Sequence, residues 1–217
     1  MNGFFTVNAL ACLLVATAVL VTLTKTPRKA AYLYIVQSLV LIGIFVTLGN
    51  TVGSTELFSW AGTAFVTKVV LVPAIILFAL KKMGEPAEKL DPVVSPAAIV
   101  VLSAVEILAC AVAVGGITLP AAAMVKPALA ISLAHFFIGL TCIVTQRNIF
   151  KQVFGYCLME NGSHLTLALL APTAPSLVEI GIATDAVFAI IIMAVMVTRI
   201  YRVTRSLDAD GLMELKG

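Results

Sequence analysis

Seven long apolar segments follow one another along the chain, separated by short connections that carry glycine, proline or charged residues. A helix of about 20 mainly apolar residues is long enough to cross a lipid bilayer. The sequence therefore predicts an all-α, polytopic membrane bundle of about seven transmembrane helices. A β-barrel is not expected, because its strands would alternate apolar and polar residues. The segments are Asn2–Thr24, Ala30–Gly49, Phe58–Leu80, Val93–Val114, Pro120–Val144, Phe150–Leu170 and Leu177–Ile200.

The composition excludes several classes of soluble protein. Hydrophobic residues make up 61% of the chain and charged residues only 12%, whereas a soluble domain carries about 25% charged residues. A single soluble core cannot bury that much apolar side chain, so lipid must surround most of it. A soluble enzyme, a nucleic-acid-binding protein and a disulfide-stapled secreted domain are therefore excluded.

The basic residues segregate strongly between the connections. Every lysine and arginine except Lys68 and Lys126 lies in or beside the first, third or fifth connection, or near the C-terminal tail. Basic residues of membrane proteins concentrate on the cytoplasmic side. We therefore expect a periplasmic N-terminus and a cytoplasmic C-terminus. The first segment has no basic residues before it, which favours a retained helix over a signal peptide.

Several ionisable residues lie inside the apolar segments, where a charge costs roughly 2.5–3.5 kcal/mol and commonly marks a pathway. Counting about 1.5 Å per residue from the outer end of each helix places four of them at one level near the bilayer midplane. These four are Lys68, Glu106, Glu160 and Asp185. They predict a lateral polar row parallel to the membrane, with His135 deeper and linking the row towards the cytoplasm.

Structural roles compete with this interpretation for the histidines and the outer charges. Glu179 and Lys126 lie near the outer ends of their segments, where we expect their side chains to reach the interface. His164 follows Glu160 by one helical turn, so it is either a hydrogen-bond partner of that carboxylate or a packing residue. His135 is either an interhelical hydrogen-bonding group or part of a relay.

The remaining polar residues also have two interpretations. Lys68 and Glu106 form either a structural ion pair between adjacent helices or two members of the row. Glu160 and Asp185 are the residues least easily explained as structural hydrogen-bonding groups. Pro73 lies five residues after Lys68 and is expected to free a backbone carbonyl and loosen that helix.

No cofactor site is expected in this chain. The four cysteines lie within the apolar segments and form no CxxC pair, which indicates small buried residues rather than iron–sulfur or zinc ligands. We find no phosphate-binding loop, dinucleotide fingerprint, zinc-protease motif or haem-attachment motif. The cysteines are Cys12, Cys110, Cys142 and Cys157.

The C-terminal part, roughly residues 127–217, resembles the K subunit of respiratory complex I and the C subunit of Mrp-type cation/proton antiporters. Thr145–Asn148, Gly155 and Met159–Asn161 carry the resemblance to the second helix of that family. The family has a membrane-embedded glutamate two residues after the glycine. Here Cys157 occupies that position, and a carboxylate follows about one turn later at Glu160.

A second part of the resemblance lies in the last segment and in the N-terminal half. Thr184–Ala186 resembles the second buried acidic site of the K-subunit family, with Asp185 as the acid. Tyr34–Ser38, together with Lys68 and the following Pro73, resembles a membrane subunit of complex-I-like [NiFe] hydrogenases. We expect residues 1–119 to form a four-helix region and residues 120–217 to form a three-helix region of K-subunit type.

This resemblance implies a non-catalytic membrane subunit of an energy-converting hydrogenase linked to formate-dependent hydrogen evolution. It also implies a place in the inner (cytoplasmic) membrane of a bacterium. Nickel–iron and iron–sulfur centres are expected in partner subunits, beside antiporter-like and quinone-site-like membrane subunits. Two alternatives stay open: a scaffold that moves no ions, and a component of a multisubunit cation/proton antiporter. The residues expected to form the ion pathway are Glu160, Asp185, Glu106, Lys68 and His135.

Overall fold

The computed structural model describes residues 2–84 and 92–212, and this part of the chain is helical with no strand. The predicted all-α membrane bundle is confirmed. A π-helical stretch, Phe65–Leu71, joins the third and fourth α-helices, and 3-10 helices cover Pro120–Val125 and Asp210–Leu212. The α-helices are α1 (Asn2–Leu23), α2 (Pro27–Val52), α3 (Glu56–Ala64), α4 (Val72–Lys82), α5 (Pro96–Gly115), α6 (Lys126–Thr145), α7 (Ile149–Leu170) and α8 (Ser176–Thr204).

Six helical segments in the described residues are long and apolar enough to cross a membrane, and Glu56–Lys82 is one of them. The sequence predicted about seven. The difference is α7, which has 22 residues but carries Lys151, Glu160, Asn161 and His164. Its neighbours α1, α2, α6 and α8 cover it, so its sequence is set by contact with protein rather than with lipid. At about 1.5 Å per residue it is still long enough to span the bilayer.

Backbone chemistry explains several helix ends. Pro27 begins α2, and Gly53 ends it in the left-handed conformation (φ 71°), with its N–H bonded to Gly49 O. Ser95 caps α5 through a hydrogen bond from Ala98 N. These are residue types that favour such positions.

The helix that carries Lys68 departs from α-helical geometry at that residue. The stretch Phe65–Leu71 is π-helical, and Val72 N–H donates to Thr67 O, five residues back. Pro73 follows directly and has no N–H to donate to Val69 O. The predicted loosening of this helix by Pro73 therefore takes the form of a wider turn. Such π-turns inside α-helices are frequent at functional sites.

Helices α6 and α7 approach each other at the level of their backbones. A Cβ added to Gly139 would lie 2.5 Å from Met159 N, and one added to Gly155 would lie 2.8 Å from Gly139 O. A Cβ at Gly162 would lie 2.5 Å from Phe136 N. Only glycine fits at these three positions, and close backbone approach of this kind is a major source of attraction between helices in lipid.

We expect Gly155→Ala to destabilise the protein by about 1–3 kcal/mol, because the added methyl group overlaps backbone atoms that cannot move aside. Gly181→Ala is the matched control, since a Cβ at this position of α8 meets nothing within 4 Å. Thermal unfolding of the purified chain in detergent measures both. Equal melting temperatures for the two variants would contradict the close-contact interpretation.

The first, third and fifth connections meet at one end of the bundle. Gln146 donates its side-chain N–H to Thr22 O at 3.0 Å, and Val93 N–H donates to Thr145 O at 2.8 Å. At the opposite end, the Ser54 hydroxyl donates to Pro172 O at 2.6 Å. The basic connections that the structure describes therefore share one end of the molecule; Lys89 and Lys216 lie outside the described residues.

The orientation of this basic end stays a prediction. Reporter fusions at the C-terminus and within the loop Thr51–Thr55 are expected to give signals from opposite sides of the membrane, with the C-terminus cytoplasmic. Signals from the same side would contradict the odd number of crossings. A fusion in the α6–α7 turn at Arg147 serves as a second cytoplasmic reporter.

Buried apolar side chains form two clusters along the bundle axis. The first contains Tyr34, Phe154 and Ile190 and lies towards the basic end. The second contains Phe45 and Leu165 and lies towards the opposite end. Between the two clusters lies a set of mostly buried polar side chains, which we call the polar layer: Gln37, Ser38, Lys68, His135, Glu160, Asn161 and His164.

Candidate functional site: a buried polar layer

An ion pair between two transmembrane helices forms the centre of the polar layer. Lys68 Nζ contacts Glu160 Oε2, and the two side chains are only 3% and 12% exposed. The π-turn presents Lys68 from the third span, and α7 presents Glu160 from the helix most enclosed by protein. A buried pair is favourable only while both charges are present, because either charge alone is strongly penalised by the apolar surroundings.

His164 extends this pair towards the second apolar cluster. Its Nδ1 lies 4.0 Å from Glu160 Oε1, one turn away on α7, and its Nε2 contacts Glu179 Oε2 from α8. The imidazole lies against Phe45 and Trp60, with ring centroids 4.8 and 5.5 Å away. The four groups thus form a row across three spans, in which the step from Glu160 to His164 is longer than a hydrogen bond. The row contains Lys68, Glu160, His164 and Glu179.

Glu179 is buried, so the interfacial position predicted from its place near the end of the segment is wrong. Its side chain is 0% exposed, although it lies in the first turn of α8. Its neighbours Val178 and Ile180 are exposed, so the rotation of α8 alone turns this carboxylate inwards. Lys126, in contrast, begins α6 and is partly exposed, which agrees with the interfacial position expected for it.

His135 makes the interhelical contact that the sequence left open. Its Nε2 lies 2.5 Å from Gln37 Nε2 of α2, and both side chains are fully buried. Both residues lie well inside their helices, so His135 lies within the polar layer rather than below it towards the cytoplasm. The expected depth was wrong because it was counted from Pro120, whereas α6 begins only at Lys126.

Glu106 does not pair with Lys68, and that alternative is wrong. Its carboxylate accepts a hydrogen bond from the Thr141 hydroxyl of α6 and is only half-buried. The contact joins α5 to α6, away from the ion pair of Lys68 with Glu160. Glu106 is therefore a separate polar site on the flank of the bundle.

Asp185 is also separate from the buried chain of charges. It is exposed on α8, next to the exposed Thr184, whereas Glu179 one and a half turns earlier faces inwards. Depth along the helix predicted it to join the row, but the side chain points to the outside of the bundle. An exposed carboxylate within a spanning helix is unfavourable against lipid.

The Arg147–Asn148 pair, which carried part of the resemblance, has a structural role outside the spans. Arg147 donates to both carboxylate oxygens of Asp208, at 3.1 and 2.5 Å, and Asn148 Oδ1 accepts from Phe150 N at 2.9 Å. Partial burial acts to raise the pKa of Asp208, but the Arg147 hydrogen bonds outweigh it and hold that pKa below its usual value. The pair thus fastens the C-terminal segment to the α6–α7 turn.

Lys151 was counted with the cytoplasmic charges, but the structure buries it. Its ammonium group donates to the carbonyl oxygens of Val21 and Thr22, and the residue is only 1% exposed. These carbonyls lie at the C-terminal end of α1, where helix carbonyls lack partners within the helix and attract cations. In the sequence, Lys151 lies at the start of a predicted span, where a lysine is expected to face the cytoplasm, so the sequence does not indicate this contact.

A cavity of about 320 Å³ opens between α7 and α8 and reaches the buried charges. Its walls include Glu160 and His164, together with the exposed Ser163 and the aromatic ring of Tyr156. Water or a neighbouring side chain can therefore approach the ion pair from the side of the bundle. Among residues 2–84 and 92–212, no three His, Cys, Asp or Glu side chains converge as metal ligands.

The buried row contains more carboxylates than lysines, and this imbalance decides what the site can do chemically. Lys68 neutralises one carboxylate, but two are present in Glu160 and Glu179. A low-dielectric interior disfavours the uncompensated charge, so a proton on one of the groups Glu160, His164 or Glu179 would balance it. The arrangement can therefore hold one extra proton.

Comparison with known proteins agrees with a membrane subunit of complex I type. Residues 127–217 match the family model described as NADH-ubiquinone/plastoquinone oxidoreductase chain 4L. This confirms the resemblance of the C-terminal part to the K subunit, and defines the class of protein to which that part is related.

Over its full length the chain is 48% identical to hydrogenase-4 component E of Escherichia coli K12 and of Shigella flexneri, and covers 100% of each. It is 24% identical to an uncharacterized protein of Mycobacterium tuberculosis, over 94% of this chain and 92% of that protein. No solved structure matches the chain. The chain belongs to the hydrogenase-4 component E family.

Proposed function

We propose that this protein is an inner-membrane subunit, without a redox centre, of an energy-converting [NiFe] hydrogenase linked to formate-dependent hydrogen evolution. In this role its buried charges form part of a lateral proton path that couples redox chemistry in other subunits to ion movement. The relatives named as a hydrogenase component favour this over a free-standing cation/proton antiporter.

The observation that carries the proposal is the row of buried titratable groups from Lys68 through Glu160 and His164 to Glu179. It combines three features of a proton relay: titratable groups next to one another, enclosure in a largely apolar bundle, and a cavity that opens onto Glu160 and His164. A purely structural contact needs one satisfied pair, whereas this arrangement contains one more carboxylate than lysine. Ionisable residues inside spans commonly mark such routes.

The other residues expected in the ion pathway lie beside this row of buried charges. His135 and Gln37 lie in the same polar layer and connect it to α2 and α6. Glu106 and Asp185 lie on the flanks, where we propose that they meet polar groups of neighbouring membrane subunits.

The scaffold alternative has its own support in the structure. The contacts of Glu106 with Thr141 and of Gln37 with His135 are interhelical bonds of the kind that stabilise membrane bundles without moving ions. Each contact joins two helices through a single hydrogen-bonded pair. Variants of the Lys68–Glu179 chain distinguish the two functions.

Co-purification tests the assignment to a hydrogenase. When the tagged chain is extracted in mild detergent from its own membranes, we expect recovery with nickel–iron, iron–sulfur and antiporter-like subunits. Asp185→Leu is expected to reduce that recovery severalfold, because a polar partner would lose its carboxylate. Thr184→Val is the matched control, since the Thr184 hydroxyl already bonds Ile180 O within α8 at 2.6 Å.

Recovery with antiporter-like subunits alone would contradict the hydrogenase assignment. A stable, monodisperse monomer, with the hydrogenase intact in its absence, would contradict membership of a complex altogether. Equal recovery of the Asp185→Leu variant and wild type would remove Asp185 from the subunit contact.

A further inference from the structure

A groove of about 610 Å³ runs between α4 and α8 on the outer surface of the bundle. Most of its wall is apolar, with Phe78 and Val195 exposed along it. Its volume lies within the range of about 300–1,000 Å³ that is usual for sites of small organic ligands. The other apolar wall residues are Ala74, Ile75, Ala79, Ile191 and Ala194.

One end of the groove is strongly basic. Lys82, Arg199 and Arg202 line it, and all three are exposed. Lys82 ends α4, and Arg202 lies in the last turn of α8, so this end lies where the spans leave the membrane. No acidic side chain in the described part of the chain forms an ion pair with any of the three.

The length of the groove fits one leaflet of a bilayer. From Ala74 to Lys82 the rise along α4 is about 12 Å, and from Ile191 to Arg202 along α8 it is about 17 Å. The hydrocarbon part of one leaflet is about 15 Å thick. An acyl chain lying along the apolar wall therefore places its headgroup at the three cations.

We propose that this groove binds an anionic phospholipid, with an acyl chain against Phe78 and Val195 and the headgroup phosphate at Lys82, Arg199 and Arg202. Arginine matches phosphate geometry with two parallel hydrogen bonds. Basic pockets between spanning helices recognise anionic headgroups. The site is separate from the Lys68–Glu179 chain, and its occupancy does not depend on proton transfer.

The test uses the purified full-length chain in detergent and native mass spectrometry. It is titrated with phosphatidylglycerol and with phosphatidylethanolamine of the same acyl chains. We expect phosphatidylglycerol to bind about tenfold more tightly. Lys82→Gln/Arg202→Gln is expected to lose most of that preference.

Lys29→Gln/Lys81→Gln is the matched control, because it removes two exposed charges at the same end of the bundle but outside the groove. It is expected to keep the preference to within about twofold. Equal affinity of wild type for the two lipids would overturn the proposal, as would equal losses in the two double variants.

A third variant separates a lipid from a soluble phosphate or from a partner helix. Ala74→Phe fills the groove without changing its charge and is expected to weaken phosphatidylglycerol binding about tenfold. Inorganic phosphate at millimolar concentration is expected not to displace the lipid. An unchanged affinity in Ala74→Phe, or displacement by phosphate, would show binding at the basic surface alone and overturn the acyl-chain site.

Discussion

Glu160→Gln is expected to leave the amount of assembled complex near normal while reducing ion translocation by at least about 100-fold, in the range that loss of a proton-transfer group produces. The amide keeps the shape of the carboxylate and still accepts a hydrogen bond from Lys68. Charge balance is also kept, because the Glu179 carboxylate remains to compensate Lys68. Only the ability to exchange a proton is lost.

The measurement compares complex abundance on native gels with proton uptake by inverted membrane vesicles during hydrogen turnover. Glu56→Gln is the control: it makes the same change at the first residue of the third span, where Glu56 accepts a hydrogen bond from the Ser54 hydroxyl. The double variant Glu160→Gln/Asp185→Asn is expected to be at least as impaired as Glu160→Gln. Normal coupling in that assembled double variant would exclude the relay and leave the scaffold.

Glu160→Ala separates chemistry from structure at the same position. It removes the partner of a buried lysine, so assembly itself is expected to fall. If Gln and Ala variants assemble equally well, the ion pair contributes little to the fold.

The fold was predictable because its signals are local. Apolar length marks each span, and residues such as Pro27 and Asn148 begin helices through their own backbone or side-chain chemistry. Hydropathy also explains why six helices in the described part of the chain, and not seven, are apolar enough to be identified as spans. The polar residues of helix α7 lower its mean hydropathy below that of the other spans. Such residues are tolerated there because protein rather than lipid surrounds the helix.

For the candidate site, the sequence predicted only how deep some residues lie along their helices. Counting along the helices placed Lys68 and Glu160 at one level, and the structure joins them. It gave no information on the rotation of each helix about its axis, which packing against neighbours decides. For that reason Glu179 was placed at the interface although it is buried, and Asp185 was placed in the row although it is exposed.

Some buried polar contacts had weak signals in the sequence. The spacing of Glu160 and His164 by one turn was such a signal, and the structure extends it to Glu179. The burial of Lys151 had none, because its partners are backbone carbonyls of a helix about 130 residues away in sequence. A contact to a backbone carbonyl can form with any residue type, so no partner residue can be recognised in the sequence.

Lys68→Met is the second change expected to have a large effect, and it acts on stability as well as on transport. It leaves Glu160 and Glu179 without their shared cation in an apolar interior, and breaking a buried pair in this way costs about 3–5 kcal/mol. We expect severalfold less assembled complex and no detectable translocation. Lys126→Met, at the partly exposed start of α6, is the matched control and is expected to assemble normally.

The double variant Lys68→Met/Glu160→Gln decides whether charge balance is the reason. It retains a single carboxylate, Glu179, beside His164, which can carry the compensating proton. Assembly is therefore expected to recover substantially relative to Lys68→Met, while translocation stays absent because the relay is still broken. If the double variant assembles as poorly as Lys68→Met, then Lys68 supports the bundle through packing of its side chain at the π-turn rather than through its charge. Recovery of assembly together with transport would instead show that neither residue carries protons.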